Sequence, residues 1–308
     1  MRYFIVRIFS LMAFVIGLFS CKEEIPSGLV LTQTVSKDTS YIAPVEVPQT
    51  KKILIEELTG ASCVNCPEGT DILKTLIAQN PGRIVLTALH SGFLTFPPPG
   101  AKYDFRSADG DALRLFFNEG DPTKPSATFD RVRATSGGSV GNLFIEKGAT
   151  GGDWLAMFPT RLSKTTPVNI HLVSAYNPDS DKVFINVKLA FTSDLTDTLA
   201  LTLYVNENGR VDKQEGKVNG VPSTIEDYEF EHIFRKLITP AGGDLILDSL
   251  PTKTKGRVLE RYISFKPNVY NPSSNINGII LDSCKLIGIV HKTGKSKEVL
   301  HVQEVKLK

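Results

Sequence analysis

Two cysteines separated by two residues, Cys63 and Cys66, are the part of this sequence best suited to covalent chemistry. They lie in the stretch GASCVNCPEG, between the β-prone run KKILIEEL and the helix-like run CPEGTDILKTLIAQN. This order predicts a cysteine pair at a helix N-terminus, where the helix dipole and free amides lower a thiol pKa from ~8.5 towards 7 or below. An exposed first cysteine of this kind attacks a disulfide, and the second cysteine resolves the mixed intermediate. The same spacing also fits a structural disulfide, so both interpretations stay open.

The first twenty residues predict that the protein is exported. Two arginines precede an apolar run over residues 8–19, which at about 12 residues is shorter than the ~20 that a membrane-spanning helix needs. The run ends in Leu-Phe-Ser-Cys, which resembles a lipoprotein signal that is cut before its cysteine. We therefore expect a signal peptide over residues 1–20 and a lipid on Cys21. The alternative is a simple secretory signal that happens to contain a cysteine.

The residues after Cys21 indicate where a lipidated chain would be held. Lys22-Glu23-Glu24 resembles the basic-then-acidic tag that sends some lipoproteins to the outer leaflet, although an ordinary solvated linker has the same composition. Residues 21–50 are rich in Ser, Thr, Pro and Val without an amphipathic period, which predicts a flexible tether. An acylated cysteine holds a protein on a membrane without a spanning helix. The expected location is the outer membrane, with the cell surface favoured over the periplasmic face.

Composition excludes several classes of protein. The chain has 41% hydrophobic and 22% charged residues, which is typical of a globular protein. Its 35 basic and 33 acidic residues give a net charge of +2 without a basic cluster, so no nucleic-acid partner is expected. Nothing resembles a zinc site, a P-loop or a hydrolase nucleophile, so neither a metal nor a cofactor is expected. Cys284, in the apolar run IILDSCKLIGIV, is predicted to be a buried strand residue.

The body of the chain divides into two halves with different periodicities. Over residues 51–165, strand-like runs such as RIVLTALH alternate with helix-like runs such as GDWLAMFPTRL, which predicts an α/β domain. Over residues 166–308, about seven strand candidates follow one another without helices, which predicts an antiparallel β-sandwich. In KVFINVKLAF, alternation directs one face to the core; its residues are Val183, Ile185, Val187 and Leu189.

The first half resembles the thioredoxin fold in its order of strand, turn, CxxC pair and helix. The resemblance implies that Glu57 is the buried acid that moves a proton to or from the resolving cysteine; a strand carboxylate paired with a lysine is the alternative. It also implies that Pro125, which precedes the strand candidate SATFDRV, is a cis-proline lying against the cysteine pair. A trans turn proline is the alternative there.

The cysteine motif departs from the thioredoxin pattern in two ways. Ser62 precedes the first cysteine where thioredoxins usually carry tryptophan, and the inner dipeptide is Val64-Asn65 in place of Gly-Pro. His90 ends the second strand candidate at the same sheet edge, either as a proton carrier near the thiols or as a hydrogen-bonded structural residue. In the following loop, Phe93, Phe96 and Tyr103 are candidates for a peptide or ligand surface, and packing between the two halves explains them equally well.

Taken over nearly the whole mature chain, the sequence resembles the lipoprotein family related to outer membrane protein 28. The residues that carry this resemblance are the lipoprotein signal, the block LIEELTGASCVNCPEG, the strand ending in LHSG and the run YEFEHIFRK. The resemblance implies an outer-membrane lipoprotein with a thioredoxin-like domain followed by a β-sandwich, and it carries no activity. His232 and Arg235, three residues apart on one predicted strand, are expected to have structural roles.

Two functions remain open. The favoured one is an anchored binding or scaffold protein, in which Cys63–Cys66 is a stable disulfide and the partner is a protein, a peptide or an envelope component. The alternative is an exported thiol–disulfide oxidoreductase that uses Cys63 as nucleophile and Cys66 as resolving cysteine, assisted by Glu57 and Pro125. The absence of the tryptophan and the expected position outside a reducing compartment favour the first.

Overall fold

The structure, a computed structural model, describes residues 37–136, 139–148 and 151–308. Most of the regular structure is β. The helices are α1 (Cys66–Gln79), α2 (Ala108–Phe117) and α3 (Gly152–Leu162), with a 3-10 turn at Leu281–Ser283. The strands are β1 (Lys37–Ile42), β2 (Ile53–Thr59), β3 (Ile84–His90), β4 (Ser126–Phe129), β5 (Thr135–Ser136), β6 (Ser139–Val140), β7 (Ile145–Glu146), β8 (Val168–Asn177), β9 (Lys182–Phe191), β10 (Leu199–Glu207), β11 (Arg210–Val218), β12 (Val221–Phe230), β13 (Ile233–Leu237), β14 (Asp244–Ile246), β15 (Arg257–Phe265), β16 (Cys284–Lys292) and β17 (Val299–Lys306).

A nine-stranded sheet forms the centre of the protein. Its order is β17-β16-β10-β13-β3-β2-β4-β7, and β14 pairs with β10 beside this path. Strands β2 and β3 are parallel in register from Ile53 with Ile84 to Thr59 with His90, and β4 is antiparallel to β2. Every residue of β2 and β3 is buried, because α1 and α3 cover one face and α2 covers the other. The continuous apolar runs KKILIEEL and RIVLTALH are typical of strands with two covered faces.

The second half of the chain builds a β-sandwich, as the sequence predicts. The four-stranded sheet β1-β15-β9-β8 packs against the part of the large sheet that contains β10 and β16. The alternating residues of β9 point into the core between the two sheets and are at most 2% exposed: Val183, Ile185, Val187 and Leu189. Their partners on the opposite sheet include Leu201, Leu203 and Leu286. Cys284 is buried at the start of β16, which confirms its predicted environment.

Strands from both halves join in the large sheet. Strand β13, from the second half, pairs in parallel with β3, from the first, through Ile233 and Ala88. The described residues, which begin at Lys37, form one compact unit. The division into domains at residues 51–165 and 166–308 stays a prediction, and the pairing of β3 with β13 lies across it.

The predicted tether over residues 21–50 is wrong for its last part. Residues 37–42 form β1, which pairs antiparallel with β15. Beyond it, Gln49 exchanges hydrogen bonds of 2.7 to 3.1 Å with Asn169 and Ile170 of β8. The polar residue Gln49 therefore makes hydrogen bonds to edge strand β8 that a neighbouring strand would otherwise make. Cys21 and the remainder of the tether lie outside the described residues.

The run YEFEHIFRKL, predicted as one strand, is split between β12 and β13. His232 adopts the left-handed conformation at φ 57°, which interrupts the strand without reversing the chain, since β12 pairs with β11 and β13 pairs with β10 as successive parts of one long antiparallel hairpin. The interruption is held because Asn208 Oδ1 accepts a hydrogen bond from His232 N, and His232 O accepts one from Ala88 N. Arg235 lies beyond the interruption, in β13, and forms an ion pair with buried Glu207 at 3.2 Å.

A fully buried ion pair joins β2 to the end of β4. Glu56 accepts two parallel hydrogen bonds from the Arg131 guanidinium at 2.7 and 2.9 Å and one from Thr128 Oγ1 at 3.1 Å. Both charged side chains have no exposed surface. Bidentate geometry with additional hydrogen bonds is the arrangement that offsets the desolvation of two buried charges.

Replacing Arg131 by methionine should therefore lower the free energy of unfolding by about 3–5 kcal/mol, because Glu56 would stay buried without a cation. Urea denaturation followed by the fluorescence of Trp154, the single tryptophan, measures this loss. The matched control is Arg106→Met, which removes the partly exposed pair with Asp104 and should cost less than about 1 kcal/mol. Equal losses in the two variants would contradict this account.

Candidate functional site

The cysteine pair lies in the turn between β2 and α1, as the sequence predicts. Strand β2 ends at Thr59, and the turn is closed by hydrogen bonds from Cys63 N to Gly60 O at 3.0 Å and from Cys66 N to Cys63 O at 3.1 Å. Helix α1 begins at Cys66, with Pro67 in its first turn, where a missing N–H removes no helical hydrogen bond. The two cysteines form a disulfide with a Cα–Cα distance of 5.3 Å.

Neither cysteine is exposed. Cys63 and Cys66 each retain only 1% of their accessible surface. The oxidoreductase alternative needs an exposed Cys63 as nucleophile, and Cys63 is buried in this structure. Part of the reason lies far along the chain, where β11 and β12 form a hairpin that covers the turn. The loop after β3 also packs on the turn, since Ser62 N donates to Leu94 O at 3.1 Å.

The hairpin covers the cysteine turn through polar contacts with its backbone. Gln214 Nε2 donates to Gly60 O at 3.1 Å and to Cys63 O at 3.2 Å, and Glu215 N donates to Ala61 O at 2.8 Å. Gln214 and Glu215 are not among the site residues predicted from the sequence. The pair Asn219-Gly220, with φ angles of 52° and 79°, joins the two strands by a two-residue turn and was the available signal for a hairpin.

Glu57 lies behind the cysteine turn, on the face of β2 that is covered by α1. Its side chain is fully buried, and both carboxyl oxygens lie 3.2 Å from Thr70 Oγ1, one turn beyond Cys66 in α1. Burial raises the pKa of Glu57 to about 8. In the described part of the chain it forms no ion pair with a lysine, so the alternative of a lysine-paired carboxylate is wrong. Glu57 is therefore a protonated acid at neutral pH.

His90 is buried at the end of β3, with Cys66 and Thr70 lining the same narrow cavity. Its ring packs against Phe105 and Phe230 at centroid distances of 5.3 and 5.8 Å. Burial lowers the pKa of His90 to about 4, so the ring is neutral at pH 7. Its Nδ1 has no hydrogen-bond partner among the described residues.

Pro125 lies beside the start of α1, and the peptide bond that precedes it is cis, as the resemblance implies. A Cβ atom added to Gly69 would lie 3.0 Å from the Pro125 ring, so the close approach of helix and proline depends on glycine. Pro125 and Asn65, the residue before Cys66, line one open groove. Three lysines border this groove: Lys124, Lys147 and Lys217.

The four predicted binding residues separate into two environments. Phe93 and Phe96 are 41% and 62% exposed beside the cysteine turn, and Ser62 Oγ donates to Phe96 O at 2.6 Å. Each ring makes a cation–π contact. The Lys124 ammonium lies 4.1 Å from the Phe93 centroid, and the Arg106 guanidinium lies 4.3 Å from the Phe96 centroid. Tyr103 instead packs with Phe105 in the aromatic cluster that buries His90.

Two further findings concern the described residues alone. No three histidine, cysteine, aspartate or glutamate side chains within them are grouped as metal ligands would be. Each helix in this part of the chain is too short or too polar to cross a membrane.

The fold and the covered cysteine turn define a mostly β protein with a disulfide at a strand-to-helix turn. The family model described as outer membrane protein Omp28 matches residues 121–308, more than half of the 308-residue chain. The chain belongs to this family of outer membrane proteins. No curated protein sequence matches it.

Two solved structures are similar to this one. HBP35 of Porphyromonas gingivalis has a TM-score of 0.57 at 16% identity, over 84% of this chain and 76% of that chain. A crystal structure of a protein from Agrobacterium tumefaciens has a TM-score of 0.45 at 10% identity, over 85% of this chain and 97% of that one. At 16% identity the first supports a similar fold alone.

Because Glu57 is a buried acid, the stability of the protein should depend on pH. The pKa of Glu57 is about 8 in the folded protein against an ordinary value of 4.5, so the folded state keeps a proton that the unfolded state releases between these pH values. Its contribution to stability is therefore present below about pH 4.5 and is lost as pH rises to 8. Glu57→Gln, which mimics the protonated acid, should become more stable relative to wild type by roughly 1 kcal/mol or more between pH 5 and 8.

Urea denaturation of both proteins across this pH range measures the difference, and subtraction removes the contributions of the buried histidines. Glu226→Gln, at an exposed position of β12, is the matched control and should show no such trend. A Glu57→Gln difference that stays constant with pH would show that Glu57 is ionised in the folded protein.

Proposed function

We propose that this protein is a lipid-anchored outer-membrane lipoprotein that acts as a binding scaffold on the cell surface. Membership of the Omp28 family supports the outer membrane as the location of this protein. In this proposal Cys21 carries the lipid, and the chain engages a protein, a peptide or an envelope component. The observation that carries the scaffold role is the burial of the disulfide, since a nucleophilic cysteine needs access to its substrate.

We further propose that residues 51–165 form a thioredoxin-like domain. The strand order β3-β2-β4-β7 supports this, with β2 and β3 parallel and β4 and β7 antiparallel to their neighbours. Helix α1 follows β2, α2 follows β3 and α3 follows β7, and the CxxC pair lies at the start of α1. In this domain the disulfide fixes the turn that the hairpin covers.

The exposed aromatic rings are the part of this domain best suited to a partner. Phe93 and Phe96, with Leu94 at 41% exposure between them, form an apolar patch flanked by Lys124 and Arg106. Aromatic and arginine side chains are the ones most enriched where proteins bind each other. A peptide with apolar and aromatic side chains fits this patch, since Arg106 and Lys124 are already paired with Asp104 and Asp121.

The second candidate function is exported thiol–disulfide exchange. Glu57 favours it, because an uncharged buried carboxyl with a pKa of about 8 has the proton affinity that a general acid or base needs near neutral pH. The carboxyl is linked through Thr70 to the helix turn that begins with Cys66. The buried sulfur atoms weigh against this function in the closed structure.

The reduction potential of the Cys63–Cys66 disulfide separates the two functions. For the scaffold we expect a potential below about −300 mV, whereas oxidoreductases lie at about −120 to −270 mV. The mature chain with Cys21→Ser and Cys284→Ser is suitable, since only the pair then reacts with an alkylating reagent during titration against a dithiol buffer. A potential in the upper range, with selective alkylation of Cys63 near pH 7, would contradict the scaffold role.

Lipid anchoring predicts a change of compartment. Cys21→Ser should move the protein from the membrane fraction to the soluble fraction, because it removes the acyl chains that hold it. Cell fractionation with immunoblotting measures this, and Cys284→Ser is the control that should remain with the membrane. Protease added to intact cells should digest the wild-type protein, and complete protection would contradict surface display.

A further inference from the structure

The hairpin β11–β12 is part of neither the nine-stranded sheet nor the four-stranded sheet. Its strands pair only with each other, from Arg210 with Phe230 to Val218 with Val221. A two-stranded hairpin alone in water is marginally stable at best, so this one depends on what it packs against. Its two ends differ in this respect.

The base of the hairpin is fixed to the body of the protein. Arg210 pairs with Glu207 at 2.8 Å, and both side chains are buried. Asp212 accepts hydrogen bonds from Lys102 N and Tyr103 N at 2.8 and 2.7 Å. Phe230 packs in the aromatic cluster around His90. Most of these ionic, hydrogen-bond and aromatic contacts are buried, so they fix the base of the hairpin.

The outer part of the hairpin is held by fewer contacts, and nearly all are with the cysteine turn and the start of α1. They are the two hydrogen bonds from Gln214, the one from Glu215 N to Ala61 O, and an exposed ion pair of 2.9 Å between Lys217 and Glu68. A Cβ atom on Gly216 would lie 3.3 Å from Pro67, so the strand lies directly on the first turn of the helix. The tip is exposed, at 49% for Val218 and 62% for Val221.

A break in the strand pairing separates these two parts. The register shifts between Asp212 and Gln214, because Glu226 and Asp227 of β12 lie opposite Lys213 alone and form a bulge in β12. Bulges bend a strand and interrupt its ladder, which makes this the weakest point along the hairpin. Beyond it the two strands are held to each other by Lys213–Glu226 at 3.2 Å and by Thr224 with Glu215 at 3.0 Å. The outer part can therefore move as a unit about the bulge.

We propose that residues 213–226 form a gate over the Cys63–Cys66 disulfide, which thiols reach only when this part of the hairpin lifts from the cysteine turn. The 1% exposure of both cysteines is the closed state. The disulfide and the hairpin contacts support the gate, and the proposal holds for either proposed function. In this proposal Gln214 is a positioning residue, because its side-chain amide donates hydrogen bonds to two carbonyl groups of the cysteine turn.

The reaction that the gate controls is reduction by a dithiol. With the gate open, a reductant thiolate attacks one sulfur of the pair, the S–S bond breaks, and the other cysteine leaves as a thiolate and takes a proton. The second thiol of the reductant then displaces the protein sulfur, which leaves two protein thiols and an oxidised, cyclic reductant. The closed gate blocks the first attack, since the reductant must approach in line with the S–S bond.

The test is the rate of disulfide reduction by dithiothreitol under native conditions, in the chain with Cys21→Ser and Cys284→Ser. Samples are quenched with iodoacetamide and alkylated cysteines are counted by mass spectrometry. Gln214→Ala removes two hydrogen bonds that exist only in the closed state, so the rate should rise about tenfold or more. Lys217→Ala should raise it by less, because its ion pair is exposed. Val221→Ala, at the exposed tip, is the matched control and should react like wild type.

The urea dependence of the rate distinguishes gate opening from unfolding. Local opening exposes little surface, so the wild-type rate should change little at low urea concentrations, far below the unfolding transition. Equal rates in wild type and Gln214→Ala, or a rate that follows global unfolding in both, would overturn the gate. A fast Gln214→Ala variant whose pair has an oxidoreductase potential would overturn the scaffold role and leave the gate intact.

Discussion

The complete burial of β2 governs how the surrounding helices and charged groups are arranged. This strand lies inside the large sheet with helices on both faces, and yet it carries two adjacent carboxyl groups, Glu56 and Glu57. Because successive side chains of a strand point to opposite faces, the two acids lie in separate environments. Glu56 is neutralised by Arg131, whereas Glu57 has only Thr70 and keeps its proton.

The same burial explains the polar residues at the end of β4. Asp130 accepts a hydrogen bond from Leu54 N at 3.0 Å and pairs with Lys51 and Arg161, at 2.9 and 3.0 Å. Asp130 and Arg131 both adopt left-handed backbone conformations, which end β4 at Phe129 and turn the two side chains towards β2. Charged groups at the middle of the protein thus align β2, β4 and α3, and the position of the cysteine turn follows from that alignment.

The covered disulfide connects this fold to its proposed function. A CxxC pair at a helix start has the local geometry of a redox site, but a second part of the chain decides whether a substrate reaches it. Here the hairpin makes three hydrogen bonds to the carbonyls of the cysteine turn. The exposed aromatic side chains beside the turn stay accessible. A scaffold that binds through Phe93 and Phe96 and keeps its disulfide closed is consistent with both observations.

Several elements could be predicted from the sequence because their signals are local. Helix-like runs predicted α1 and α3, alternation predicted β9, and the order of strand, CxxC and proline located the cysteine turn. Strand β1 and the hairpin could not be predicted in this way, because their charged and polar residues, as in RVDKQEGKV, carry no core-facing pattern. Only the tertiary structure decided that the cysteines are buried. Gln214 lies 154 residues from Gly60, and a contact over that distance depends on the packing of the whole chain and on no local preference.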